Sequence, residues 1–208
     1  MDSPLHGKTY HHGDLRQAML AEAARMIESE GLERLSLRGM ARAVGVTHAA
    51  PANHFGDLTG LLSELAAEGY RACTAALIDA AETAGAGPSA RGKAMAGAYL
   101  RFARRNPGMF TLMFRGERLD TQRPALKEAM ATARQALESA ASENDDEDAA
   151  SALEATARAA ARWSLVHGFA VLLLEGRLKG MLTEAGTDED DLFDAVLDAT
   201  SFGKGKGA

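Results

Sequence analysis

Residues with catalytic or metal-binding chemistry are few in this sequence, and they do not form a recognisable site. The sequence has no glycine-rich phosphate loop and no serine or cysteine nucleophile arranged with histidine and aspartate. His6, His11 and His12 lie in a polar segment without further ligands at fixed spacing. The acidic run 143–148 lacks the glycine and terminal glutamate of a calcium-binding loop. We therefore expect no catalytic residues, no metal site, no cofactor and no enzymatic activity.

Cys73 is the one cysteine of the chain, so no intrachain disulfide can form. A reactive thiol needs neighbouring cations that lower its pKa, and only Arg71 is close in sequence. We therefore predict a buried, unreactive cysteine rather than a redox sensor.

The composition favours helices over strands. The 208 residues include only two Ile and five Val, and 5% are aromatic. Strands depend on β-branched and aromatic residues, whereas Ala, Leu, Met, Glu and Arg are strong helix formers. The longest strongly apolar stretch, Gly168 to Leu174, is far shorter than the roughly 20 residues of a membrane span. The N-terminal residues contain no apolar segment of the kind found in a secretory signal, so we expect none. We expect an all-α, soluble, cytoplasmic protein that has no membrane partner.

The charge is distributed unevenly along the chain. Residues 1–56 carry six basic and six acidic side chains, so the net charge of −6 belongs to the remainder. Charge alone therefore does not predict binding to nucleic acid.

Helical periodicity and capping residues predict about nine helices between a polar arm and a glycine-rich tail. We expect an arm at 1–13, a head at 14–56, a body at 57–202 and a tail at 203–208. The predicted helices run from Asp14 to Gly31, Leu37 to Val44, Thr47 to His54, Asp57 to Thr83, Ser89 to Arg105, Pro107 to Arg115, Pro124 to Ala141, Ala149 to Leu178, and onward from Asp188.

Two short predicted helices meet at a turn centred on Gly45. A helix-turn-helix requires a residue there that adopts a left-handed backbone, which glycine does without steric cost. It also requires a small residue four positions earlier, where the helices cross, and Ala41 meets this requirement. Ser36 and Thr47 are predicted to cap the two helices. The same pattern fits a plain helical hairpin closed by a glycine turn.

Three segments of the head resemble the TetR family of bacterial transcriptional repressors. They are Tyr10-His-His-Gly-Asp-Leu-Arg16, Ala43-Val-Gly-Val-Thr-His-Ala-Ala-Pro51 and Asn53-His-Phe-Gly-Asp57. The likeness is close over roughly residues 10–70. Further along, Ala161-Arg-Trp-Ser-Leu-Val-His-Gly168 resembles the Trp-x-x-x-His-Gly signature of one C-terminal domain type in that family.

The resemblance implies a homodimer whose two N-terminal heads bind a double-stranded DNA operator and whose helical bodies bind a small effector. It makes the second helix of the helix-turn-helix the one that reads the operator bases, and we call it the reading helix. His48, Ala49 and Asn53 would lie on its exposed face, and Phe55 in the core. Thr47 and His54 would face phosphates or brace that helix. Further candidates for phosphate contacts are Tyr10, Arg16, Arg38 and Arg42.

The chain departs from the family pattern at two positions that usually contact phosphates. Ala52 stands where Tyr is usual, and Leu58 stands where Lys is usual. Fewer neutralised phosphates mean weaker binding and a flatter salt dependence. The alternative is therefore a helical dimeric interaction or ligand-binding protein with weak or lost DNA binding.

The body contains a cluster of methionine and aromatic residues suited to the wall of an apolar pocket, although such a cluster also fits an ordinary core. Trp163 and His167 lie four apart on one helix face and would line this pocket or a dimer seam, or belong to the core. The predicted pocket residues are Met95, Tyr99, Phe102, Phe110, Met113, Phe114, Trp163 and His167.

Residues 169–174 are apolar on all sides, so they must be buried at the centre of the body or against a partner. We favour an interface between two copies, formed with the last helix around a two-fold axis. The predicted interface residues are Gly168, Phe169, Leu172, Leu173, Phe193, Val196 and Leu197.

Overall fold

The computed structural model describes residues 12–85, 87–142 and 151–200, and within these ranges the chain is helical and has no strands. The predicted all-α fold is thus confirmed. The ten α-helices are α1 His12–Glu30, α2 Leu37–Val44, α3 Ala50–Phe55, α4 Leu58–Thr83, α5 Pro88–Arg105, α6 Pro107–Met113, α7 Pro124–Ser142, α8 Ala152–Leu174, α9 Lys179–Ala185 and α10 Glu189–Ala199. Short 3₁₀ turns occupy Leu32–Arg34 and Gly116–Arg118.

Side-chain caps begin several helices where the sequence predicts them. The Ser36 hydroxyl accepts a hydrogen bond from the Gly39 N–H at 3.1 Å, and the Asp57 carboxylate accepts one from the Gly60 N–H at 2.7 Å. Each cap satisfies a backbone donor that has no partner in the first turn of a helix. The predicted starts of α2 and α4 are therefore confirmed.

The described residues form ten α-helices where about nine are predicted, because the long helix predicted to end at Leu178 is interrupted. It ends at Leu174, and Gly176 adopts φ +70° in the following turn. That left-handed conformation stops a helix, and α9 then begins at Lys179. At the other end of the chain, α1 begins at His12, two residues before the predicted start. The predicted tail and acidic run 143–148, and all but the end of the predicted arm, lie outside the described residues.

Two hydrophobic clusters form the interior. The first joins the head to the first half of α4 and to the start of α7, with Met19, Ile27 and Phe55 packed with Leu61 and Leu126. It crosses the predicted boundary between residues 56 and 57, so α1 and α3 pack directly on α4. The second cluster lies in the body and joins the second half of α4 to α5, α6, α8, α9 and α10.

No helix among the described residues combines the length and apolar character needed to cross a membrane.

Candidate nucleic-acid interface and ligand site

The turn between α2 and α3 has the backbone geometry that a helix-turn-helix requires. Gly45 adopts φ 77° and ψ 33°, in the left-handed region, and the Val46 N–H donates to the Ala41 carbonyl at 2.9 Å. Met40 and Ala41 are fully buried beneath the turn. The small side chain of Ala41 allows the close approach that the sequence predicts, so the helix-turn-helix is confirmed.

The second helix of this unit starts later than predicted. Residues 47–49 form a turn in which the Ala50 N–H donates to the Thr47 carbonyl at 3.0 Å, and α3 runs from Ala50 to Phe55. Ala49 is the N-cap and makes no side-chain cap, so the predicted capping role of Thr47 is wrong. The reason lies in Pro51, since proline favours the first positions of a helix and has no N–H to cap.

The outer side of this turn and helix faces solvent. Thr47, His48, Ala49 and Asn53 are exposed. On the opposite side, Phe55 is buried with 1% of its surface exposed, as predicted. Ala52 is also exposed, His54 is half-buried, and Arg38 and Arg42 of the preceding helix are exposed. This exposed edge is free to enter a groove of DNA. The remaining candidate for a phosphate contact, Tyr10, lies outside the described residues.

Arg16 has an internal partner that the sequence does not reveal. Its Nη2 lies 2.6 Å from Oε2 of Glu64 on α4, and its guanidinium carbon lies 5.6 Å from the centre of the Phe55 ring. Arg123 binds the other oxygen of Glu64 through Nε at 2.8 Å. Arg16 therefore fastens α1 to α4 beneath the reading helix, and a phosphate contact for it stays a prediction.

The carboxylate of Glu64 is held in its charged form. Burial raises the pKa of this group, but hydrogen bonds and charge from Arg123 and Arg16 outweigh burial, so its pKa lies below the usual value. The group joins three parts of the chain, namely α1, α4 and the segment before α7.

A second joint connects the head to α6. The carboxylate of Glu28 on α1 accepts hydrogen bonds from the Gly108 N–H at 2.9 Å and from the Met109 N–H at 2.8 Å. A Cβ atom at Gly108 would lie only 2.7 Å from the Ile27 carbonyl oxygen. Only glycine therefore allows the start of α6 to rest directly on α1.

Most of the predicted pocket residues form one aromatic cluster, which we call the His167 cluster. The Tyr99 hydroxyl lies 2.9 Å from Nδ1 of His167. The ring centre of His167 is 4.4 Å from that of Phe114, 5.5 Å from that of Phe110 and 5.6 Å from that of Trp163. The cluster thus joins α5, α6 and α8, and Met113 is buried beside it in the same core.

Tyr70 of α4 belongs with this cluster and was not predicted. Its ring centre lies 6.1 Å from that of Phe114, and its hydroxyl donates to the Met113 carbonyl at 3.0 Å. Its position three residues before Cys73, on the face predicted to be buried, was the signal in the sequence that could have identified it.

Two predicted pocket residues line separate spaces instead of one common pocket. Met95 borders a cavity of about 310 Å³ between α4, α5 and α7. Phe102 borders a groove of about 410 Å³ between α4 and α5. Different residues of α4 line the two spaces, which therefore lie on different flanks of that helix. Neither space is lined by Tyr99 or by the rest of the His167 cluster, so a pocket shared by Met95, Phe102 and Tyr99 stays a prediction.

Burial favours the uncharged form of four titratable groups in the body. It lowers the pKa of His167 and raises that of Tyr99. It also raises the pKa of Tyr70 to about 12 and that of Cys73 to about 12. Cys73 is 4% exposed, which confirms the prediction of a buried thiol.

Three of the seven predicted interface residues pack inside their own chain. Phe169, Phe193 and Leu197 are buried, and the rings of Phe169 and Phe193 have centres 4.8 Å apart. These three are not available to a partner, because α10 lies against α8 in the same chain. The remaining predicted residues reach the surface, since Leu172 is 44% exposed and Gly168, Leu173 and Val196 are half-buried.

Beyond its first turn, which carries the exposed Glu154, the outer face of α8 is uncharged. At helical spacing it presents Leu153, Ala157, Ala161, Ser164, Gly168 and Leu172. Among the described residues, no atom lies within 4 Å of a Cβ built at Gly168. No other helix of the described residues therefore packs closely on α8 at Gly168.

A search of the described residues for three or more clustered histidine, cysteine, aspartate or glutamate side chains found no group able to hold a metal ion.

Comparisons with known proteins match both the body and the whole fold. Residues 93–200 match a family model described as a tetracyclin repressor-like C-terminal domain. A protein of unknown function from Rhodococcus sp. RHA1 is 33% identical, with a TM-score of 0.77 over 93% of this chain and 96% of that chain. Among curated proteins, no sequence matches the chain.

Two more distant structures share the fold. The TetR family transcriptional regulator PfmR from Thermus thermophilus is 22% identical, with a TM-score of 0.56 over 73% of this chain and 84% of that chain. The ketosteroid transcriptional regulator KstR2 of Mycobacterium tuberculosis is 16% identical, with a TM-score of 0.50 over 82% of this chain and 94% of that chain.

Proposed function

The chain belongs to the TetR family of transcriptional regulators, and from this premise we propose that it is a homodimeric repressor, released from a palindromic operator by a small apolar effector. The observation that carries this proposal is the exposed outer side of residues 47–53, which belongs to a helix-turn-helix whose inner side is buried. Because its proposed partner is chromosomal DNA, we place the protein in the cytoplasm.

In the proposed complex, the start of α3 enters the major groove. His48 and Asn53 carry side chains that hydrogen bond to base edges, and Ala49 is small enough to contact a thymine methyl group. Arg38 and Arg42 lie on the helix before the turn, from which guanidinium groups reach the phosphate backbone. We assign further phosphate contacts to Tyr10, Arg16, Thr47 and His54.

The uncharged outer face of α8 supports dimer formation. Gly168 and Leu172 lie on this face, and the half-buried Leu192 and Val196 of α10 extend it. Glycine, alanine and serine let two helices approach closely, and the absence of charge avoids a desolvation penalty. Two copies of this face would form an isologous four-helix interface around a two-fold axis.

Two joints support communication between the body and the head. The first half of α4 shares a core with α1 and α3, and Tyr70 at its middle reaches the His167 cluster. Likewise α6 carries Phe110 and Phe114 in that cluster, while its N-terminal end rests on Glu28 of α1. A ligand that displaces α4 and α6 would move the two heads out of register with half-sites about 34–36 Å apart. It acts only if it binds the two forms with different affinity.

A mobility-shift titration with the DNA that flanks its own gene tests the proposal. We expect a discrete complex that persists against an excess of unrelated DNA of equal length, because base contacts add to the general phosphate attraction. The competing function is a dimeric ligand-binding protein without an operator, and it is favoured by Ala52 and Leu58, which replace the usual Tyr and Lys. Equal binding to flanking and unrelated DNA, or no binding at low salt, would establish that competing function instead.

A further inference from the structure

The hydrogen bond between Tyr99 and His167 determines which imidazole nitrogen carries the proton. Tyr99 is 6% exposed, and a buried phenol needs an acceptor for its proton. Nδ1 of His167 lies 2.9 Å away. The need of the buried phenol for an acceptor assigns the accepting role to this nitrogen. Because burial lowers the pKa of His167, the ring is neutral at pH 7 and carries one proton only. That proton therefore sits on Nε2, which is a hydrogen-bond donor.

One side of the His167 cluster is open to a ligand. Tyr99 and Phe110 form its inner side, where Phe110 is 2% exposed. On the outer side, Trp163 is 40% exposed, and Phe114 and His167 are half-buried. Since Nδ1 points inward to Tyr99, the accessible edge of His167 is the one that carries Nε2.

The surroundings of His167 select for an uncharged aromatic molecule. Its partners within the cluster are Tyr99, Phe110, Phe114 and Trp163, all of which are uncharged. An ionised ligand would lose hydration here without gaining an opposite charge from these partners. The faces and edges of the exposed rings favour offset stacking with another ring.

We propose that the effector is a neutral aromatic compound bearing a carbonyl oxygen, which stacks on Trp163 and Phe114 and accepts a hydrogen bond from Nε2 of His167. This assignment rests on the proposed function, because it names the class of ligand that the body binds. His167 is then the residue that selects the ligand, and Tyr99 is a positioning residue that holds its tautomer.

A pair of ligands that differ in one atom tests the assignment. The probes are 2-acetylnaphthalene, and 2-isopropenylnaphthalene in which a methylene group replaces the carbonyl oxygen. Calorimetric titration of the full chain should show that the ketone binds roughly threefold to tenfold more tightly, as one added hydrogen bond permits. Equal affinity for the two probes, or no binding of either, overturns the proposal.

Variants identify the residue that makes the distinction. His167→Phe keeps an aromatic ring and removes the donor, so it should bind both probes equally. Ile78→Ala alters the separate cavity between α4, α5 and α7, and it should keep the preference for the ketone. A preference that survives His167→Phe, or one that Ile78→Ala abolishes, places the ligand elsewhere and overturns the assignment.

The imidazole tautomer provides a readout that does not depend on ligand affinity. Long-range proton–nitrogen NMR spectra of the full chain should show His167 protonated at Nε2, and Tyr99→Phe should raise the share of the Nδ1-protonated form. Protonation at Nδ1 in the unsubstituted protein overturns the proposal even if His167→Phe fails to fold. Operator binding by the ligand-free protein is measured separately, so failure here leaves the proposed DNA-binding function standing.

Discussion

Arg16 and Glu64 join the first helix of the head to the long helix of the body, with Nη2 and Oε2 2.6 Å apart. Glu64 also binds Arg123 at 2.8 Å, so one carboxylate secures three segments. This joint lies under the reading helix, because the Arg16 guanidinium also rests on the Phe55 ring. The head is therefore held to α4 by charge as well as by the shared hydrophobic core.

Replacing Glu64 by Gln should reduce the free energy of unfolding at pH 7 by about 1–2 kcal/mol, because it removes the negative charge and one of the two oxygens that accept from Arg16 and Arg123. Urea unfolding monitored by circular dichroism measures this. Glu138→Gln is the matched control, since it breaks an exposed pair with Arg134 and should cost less than about 0.5 kcal/mol. Equal losses of unfolding free energy in the two variants would show that the contacts of Glu64 stabilise the fold no more than an exposed ion pair does.

The same joint predicts how stability depends on acid. The folded-state pKa of Glu64 is lowered from 4.5, so the stabilisation is present above that value and is lost as the pH falls through the folded-state pKa. Urea unfolding measured between neutral and acidic pH should therefore show a steeper loss below about pH 4.5 for the unsubstituted chain than for Glu64→Gln. Parallel curves of stability against pH for the two proteins would contradict a stabilising role for the Glu64 charge.

Gly108 of α6 should not tolerate a side chain. A Cβ there would lie 2.7 Å from the Ile27 carbonyl oxygen, so Gly108→Ala should destabilise the protein by about 1–3 kcal/mol. At Gly180 in α9 nothing lies within 4 Å among the described residues, and Gly180→Ala should stabilise by about 0.5–1 kcal/mol. Thermal unfolding of both variants measures the difference, and a stabilising Gly108→Ala would disprove the contact.

Variants of the reading surface should separate specificity from general affinity. His48→Ala and Asn53→Ala should change the preferred operator sequence, at a cost of about 1–3 kcal/mol at the bases they contact. Arg38→Ala should weaken binding to all DNA alike and reduce the salt slope by about 1. Fluorescence anisotropy across an operator library measures both effects. If the His48 and Asn53 variants rank sequences as the parent does, the assigned reading surface is wrong.

Leu172→Glu should convert a dimer to a monomer, because it places a charge on the uncharged outer face of α8. Sedimentation velocity measures the oligomeric state directly. Ile78→Glu is the control, since Ile78 is similarly exposed at 42% but lies on α4. A dimer that persists in Leu172→Glu and dissociates in Ile78→Glu would place the interface elsewhere.

Part of this architecture could be predicted because it depends on residues close together in sequence. The cap at Ser36, the turn at Gly45 and the cap at Asp57 each involve atoms within a few residues, so local pattern was enough to identify them. The start of α3 was misplaced at Thr47 because two local preferences compete there, and Pro51 prevails.

Partners across the chain could not be predicted in the same way. The apolar run 169–174 predicts that Phe169 is buried, but burial against a second copy and burial against Phe193 of the same chain give the same pattern. The ion pair of Arg16 with Glu64 is likewise invisible, since an arginine near the start of a helix suits a phosphate equally well. Met95 and Phe102 also border different spaces, which their nearness in the sequence does not reveal.

The amino-acid sequence by itself determined the helical class, the helix-turn-helix and the chemical character of its outer side. These follow from propensity and from short-range hydrogen bonds, which act between near neighbours. Only the tertiary structure decided that Glu28 and Glu64 join head to body, that His167 pairs with Tyr99, and that α8 turns an uncharged face outward. Such contacts depend on how helices distant in sequence cross, and packing of whole surfaces determines those crossings.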